Sequence, residues 1–83
     1  MALRDGAVGI LEKNLVSGSV APGIEINDAT VLKLNYNEVT GANAPGFDIR
    51  AGSKVLEMVG NAADSNLGPR FMFQDATIVN TGN

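Results

Sequence analysis

Cysteine, histidine and tryptophan are all missing from this sequence, and only Tyr36, Phe47, Phe71 and Phe73 are aromatic. Without cysteine there is no disulfide, no thiolate nucleophile and no iron–sulfur cluster; without histidine as well, zinc loses both of its commonest ligands. The usual general base for a Ser or Thr nucleophile is absent too, which closes the triad route to catalysis. The lack of thiols suits an oxidising or a reducing compartment equally and fixes no location. Long hydrophobic runs are also missing. The longest, Val8 to Leu11, is far short of the roughly 18 residues of a membrane span, and no basic region with an apolar stretch and cleavage site opens the chain. The expectation is a soluble, unprocessed protein with no membrane association.

Positive charge is scarce and scattered. Six Lys and Arg, at Arg4, Lys13, Lys33, Arg50, Lys54 and Arg70, face nine Asp and Glu, for a net charge of −3. Nucleic-acid binding wants clustered cations, and single-strand binding adds stacking aromatics; neither is here, so no nucleic-acid partner is expected. A chain of 83 residues forms one small core, burying about 60 to 65% of the surface its unfolded form exposes. Domains of this size usually add a disulfide, a metal or a partner subunit. With the first two removed, oligomerisation is what remains.

What is present is a period of two. Leu32, Leu34 and Tyr36 alternate with Lys33, Asn35 and Asn37, and the same alternation runs through Ile24 to Asn27, Phe47 to Arg50, Val55 to Val59 and Phe71 to Phe73. Each reads as a half-buried strand. Turn-forming residues separate these runs at Ser17-Gly18-Ser19, Ala21-Pro22-Gly23, Gly41 to Gly46, Ala51-Gly52-Ser53, Gly60 to Ser65 and Leu67-Gly68-Pro69. Short strands punctuated every 8 to 12 residues or so predict an all-β fold, a small antiparallel sandwich, roll or barrel. The stretch Gly60 to Asn66 is expected as a polar loop. The expected core is Ile24, Ile26, Leu32, Leu34, Phe47, Ile49, Leu56, Phe71, Phe73 and Ile78.

Residues 1–20 stand apart as an N-terminal arm before a single β domain of residues 21–83. Leu3, Ala7, Ile10, Leu11 and Leu15 share a helical face, but Gly6 and Gly9 each cost a helix interior about 1 kcal/mol. The arm is therefore a short helix or an edge strand, the strand being favoured. One internal echo occurs: Ile24 to Val31 and Phe71 to Ile78 match at an offset of 47 residues, each with two apolar residues two apart, an amide and then Asp-Ala-Thr. Two matching blocks are read as chance or a repeated strand-corner solution rather than a solenoid.

No constellation proposes a reaction. The acids, including Asp48, Glu57, Asp64 and Asp75, are spread evenly and read as solvated face or turn residues. Gly6 to Gly9 and Gly52-Ser53-Lys54 fail the spacing of phosphate-binding loops. Asn27-Asp28 and Asp64-Ser65-Asn66 lack calcium-loop spacing. No catalytic residue, metal or cofactor is expected. The nine asparagines suit turns and neutral hydrogen-bonding surfaces.

Richness in Gly, Ala, Ser, Thr and Asn, scarce lysine and an unfastened arm describe a structural subunit rather than an enzyme. In this respect the chain is similar to small virion proteins, above all phage head-decoration or cement subunits. That resemblance implies a multivalent β protein in the virion, a trimer by preference, binding itself and a larger assembly such as a capsid shell. The arm residues Leu3, Ile10, Leu11 and Leu15 are the expected interface. The alternative is a small ligand- or glycan-binding module that uses Asn35, Tyr36 and Asn37.

Overall fold

The computed structural model describes residues 1–64 and 66–81. Its twelve strands are β1 (Ala2–Arg4), β2 (Val8–Glu12), β3 (Leu15–Ser17), β4 (Ile24–Asn27), β5 (Thr30–Asn35), β6 (Glu38–Thr40), β7 (Phe47–Arg50), β8 (Lys54–Val55), β9 (Met58–Val59), β10 (Ala62–Asp64), β11 (Phe71–Gln74) and β12 (Thr77–Ile78). Every ladder among them is parallel. Consecutive strands do not pair with each other. Each pairs with the strand one turn further on, so the chain winds as a β-solenoid of about three turns.

Three sheets form the sides. Sheet 1 runs β1-β4-β7-β11, sheet 2 runs β2-β5-β8-β12 with β9 also on β5, and sheet 3 runs β3-β6-β10. Partners lie 22 to 24 residues apart, as in Val8 on Thr30, Ala2 on Glu25, Ile24 on Phe47, Phe47 on Phe71 and Leu15 on Glu38. The body measures 26 × 23 × 17 Å, the short dimension being what four rungs at about 4.8 Å spacing require.

The antiparallel sandwich, roll or barrel expected from the sequence is thus replaced by a parallel solenoid. A period of two reports that one strand face is buried and says nothing about the direction of its neighbour. Punctuation every 8 to 12 residues serves a solenoid corner as well as a hairpin. The segment read as an arm forms β1, β2 and β3, the first complete turn, and Met1 donates its terminal ammonium to the Gly23 carbonyl at 2.9 Å. The stretch expected as a polar loop carries β10 at Ala62–Asp64, paired in register on β6.

Corners turn through left-handed residues. After sheet 1 these are Asp5, Asp28, Ala51 and Asp75, with φ of 60, 53, 60 and 54°; after sheet 2 they are Lys13, Tyr36 and Gly60, with φ of 57, 56 and 66°. Aspartate tolerates this region better than most residues because its short side chain bonds locally. That is why Asp recurs at the first corner.

Inside, the side chains stack in columns. Ile24, Phe47 and Phe71 form one, with the two rings 4.8 Å apart and stacked. Leu3, Ile26, Ile49 and Phe73 form a second, Gly9, Val31, Val55 and Ile78 a third, Leu11, Leu34 and Met58 a fourth, and Val16, Val39 and Ala63 a fifth. Seven of the ten expected core residues face this interior as buried or half-buried side chains. Phe73 shares the inward column but is exposed on β11, the end strand of sheet 1 among the described residues. Leu32 and Leu56 point outward instead. The register of β2 on β5 shifts between Gly9 and Ile10, and sheet 2 carries two consecutive outward residues between Val31 and Leu34 and again between Val55 and Met58. The strict alternation that placed Leu32 inside breaks at that bend.

Gly23 shows how tight the interior is. A Cβ there would lie 2.1 Å from Val39 Cγ1, so the corner between sheets 3 and 1 closes only over a residue without a side chain. Ala51 is the one corner residue after sheet 1 that is not an aspartate, and holding an alanine at positive φ costs about 1 kcal/mol. Ala51→Gly is expected to raise stability by about 0.5 to 1 kcal/mol, or about 3 to 6 °C in a circular-dichroism melt. An unchanged or lowered midpoint would count against the corner assignment.

Candidate functional site

Buried polar side chains are where an active centre would be sought, and in this molecule each is engaged by the fold. At the second corner Asn14, Asn37 and Asn61 stack at successive turns. The Asn14 amide nitrogen donates to Asn37 Oδ1 at 2.9 Å, and the Asn37 amide nitrogen donates to Asn61 Oδ1 at 2.9 Å. Each lower residue's backbone N–H also donates to the amide oxygen above it. The Asn37 and Asn61 amides further donate to the carbonyls of Leu11 and Leu34, at 3.0 and 2.6 Å. An amide offers two donors and an acceptor with two lone pairs, so Asn37 bonds the rung above through Asn61 and the rung below through the Leu11 carbonyl. The Asn35 side chain is used likewise, donating to Glu57 Oε2 at 2.7 Å and accepting from the Val59 N–H.

The Ser53 hydroxyl ties the first corner, accepting from the Ala29 N–H and donating to the Arg50 carbonyl at 2.6 Å. On the outside of sheet 1 the buried Asp48 carboxylate is gripped by Arg50 through Nε and Nη2, and Arg4 meets Glu25 at 3.4 Å. The bond to Asp48, and then its charge, push the Arg50 guanidinium above its ordinary range. A raised cationic pKa adds stability that is fully present below the ordinary arginine range and fades only as pH climbs through the raised value. Among the described residues no buried side-chain polar atom lacks a partner, no pocket is enclosed, and no helix is long and apolar enough to cross a membrane.

The residues expected to make contacts are separated by the winding. Of the proposed interface, Leu3 and Leu11 face inward and are half-buried against the core. Ile10 points outward from sheet 2 at 54% exposure, and Leu15 outward from sheet 3 at 70%. Of the proposed ligand contact, Asn35 and Asn37 are buried and committed as described, while Tyr36 is 57% exposed at the corner. Its ring lies over Gly60, where a Cβ would come within 2.5 Å of ring carbon Cδ1.

An organised apolar feature of the outer surface lies on sheet 2. Leu56 N–H bonds the Val31 carbonyl and Val79 N–H bonds the Val55 carbonyl, both at 2.9 Å, which places Leu32, Leu56 and Val79 at neighbouring positions on successive rungs. On the first rung Ile10 pairs Lys33 across the bulge, so it stands at the edge of this column. The result is an apolar stripe of Leu32, Leu56 and Val79 with Ile10 at its edge, with 54, 40 and 59% exposure at Ile10, Leu32 and Val79. One column over, the Leu34 N–H bonds the Glu57 carbonyl, which sets Lys33 beside Glu57. On the other side Thr30 pairs Lys54, which pairs Thr77. Sequence reasoning missed this face. Its signal is the recurrence of Leu32-Lys33, Leu56-Glu57 and Val79-Asn80 at offsets of one turn, visible only once the turn length is known.

Comparison of the chain with family models, with curated proteins and with solved structures finds no match.

Two substitutions check this geometry. Asn37→Ala strands the Leu11 carbonyl and the Asn14 donors, and is expected to cost about 2 to 4 kcal/mol in urea unfolding with little change in m. Gly60→Ala adds an overlap with the Tyr36 ring to the cost of a left-handed alanine, whereas Gly18→Ala, at φ +69 with nothing within 4 Å of the added Cβ, bears the backbone cost alone. Gly60→Ala is expected to lower the thermal midpoint more than Gly18→Ala. Equal effects would show that the ring does not rest on Gly60.

Proposed function

We propose that this protein is a non-enzymatic structural subunit that associates with itself and with a larger protein assembly. The observation that carries the reading is the outward apolar stripe of sheet 2, which crosses successive turns of a body whose buried polar groups are used to hold its own rungs together. An exposed apolar patch rimmed by polar residues is a common mark of a protein contact. Leu15 and Ile10, two of the four side chains expected at an interface, also stand free on outer faces.

A face about 17 Å tall and five or six residues wide buries about 300 to 400 Å2 per partner, well below the roughly 800 Å2 of a standard stable interface. Single contacts of that size are weak, and repetition in an assembly makes them hold through effective concentration. A virion shell is the kind of assembly to which the composition leads. Tyr36, with its exposed ring over Gly60, supports a second reading as a glycan contact. That contact would be a lone aromatic, since the amides beside it are spent inside.

Light scattering across a dilution series tests the proposal. The weight-average mass is expected to rise above 8.6 kDa as concentration enters the high-micromolar range. A mass that stays at the monomer value throughout overturns the reading. In that event, a glycan-array signal lost in Tyr36→Ala would move the assignment to the second.

A further inference from the structure

Building on the self-association just proposed, we infer that the partner covering the sheet 2 stripe is a second copy of this chain. The two copies pack face to face about a two-fold axis parallel to the strands. The argument starts from symmetry. An axis in that direction reverses the order of the rungs but leaves each column opposite itself, so the apolar stripe meets the apolar stripe without lateral adjustment. With the axis at mid-height, between the second and third rungs, Leu32 faces Leu56 of the second copy.

Charge then selects this arrangement. The column beside the stripe holds Lys33 on the second rung and Glu57 on the third. Reversing the rungs sets Lys33 of each copy against Glu57 of the other, giving two opposite-charge contacts from one pair of residues. The Glu57 carboxylate is half-buried and braced through Oε2 by the Asn35 amide at 2.7 Å, which leaves Oε1 for the incoming ammonium. On the far side of the stripe Lys54 faces Thr30 of the second copy, a neutral contact. Aligned sheets packing on their faces are an established mode of sheet association. The face is balanced by Lys33 and Lys54 against Glu57 and Glu12, while the whole chain carries −3, so pairing here brings no net like-charge repulsion.

The test compares Lys33→Glu with Lys54→Glu, which change net charge identically. Dissociation constants come from sedimentation equilibrium on the full chain, and circular dichroism verifies the fold. The expected results are a wild-type mass limited to two copies, a dissociation constant raised at least about tenfold by Lys33→Glu, little change with Lys54→Glu, and association retained in Lys33→Arg. A wild type that stays monomeric overturns the self-association reading and this pairing together. A wild type that associates but responds equally to both reversals, or to neither, overturns only this face. So does a mass that rises beyond two copies.

Discussion

Everything in this molecule depends on parallel strands stacking in register one turn apart. Main-chain hydrogen bonds fix neighbouring rungs at about 4.8 Å, and at that spacing a side chain's nearest neighbours include the residue one turn before it and the residue one turn after. Interior columns are consequently runs of like with like, such as Ile24, Phe47 and Phe71, or Val31, Val55 and Ile78. The asparagine ladder is the polar form of the same rule. An amide can bond its own kind at the rung spacing, so Asn14, Asn37 and Asn61 satisfy one another and the Leu11 and Leu34 carbonyls.

Once the interior is held this way, the outside is free to differ from face to face. Sheet 1 carries the Arg4–Glu25 and Arg50–Asp48 pairs, whereas sheet 2 carries leucines and a valine in the equivalent outward setting. The bend in sheet 2 produces this difference. Two consecutive outward residues per rung create one apolar and one polar column side by side, a layout that a strictly alternating strand of this length would not offer. The proposed function therefore rests on a place where the period of two fails.

Several parts of this were legible in advance. The strand positions at Ile24 to Asn27, Phe47 to Arg50 and Phe71 to Phe73 stood out because alternation is a local property of burial on one face. The echo between Ile24 to Val31 and Phe71 to Ile78 was also visible, and its 47-residue offset is the length of two turns. The intervening copy, Phe47 to Val55, was hidden because Ala51-Gly52-Ser53 replaces Asp-Ala and adds a residue, which disguised the repeat at its most recognisable point. The ladder was hidden for a different reason. Asparagine at a turn is ordinary, and only the alignment of Asn14 with Asn37 and Asn61 distinguishes a stacking residue from a turn former.

By itself, the sequence determined that the chain is built of short strands, where most of them lie, and that neither disulfide nor thiolate chemistry takes part, because composition and nearest-neighbour alternation are local facts. The tertiary structure decided the direction of pairing, the assignment of Leu32 and Leu56 to the outside, the burial of Asn35 and Asn37, and the meeting of Ile10, Leu32, Leu56 and Val79 on one face. Those are relations between residues a full turn apart. They arise from backbone hydrogen bonds between rungs, which any sequence can donate and accept, and from the number of residues each corner uses, which no single stretch of the chain reveals.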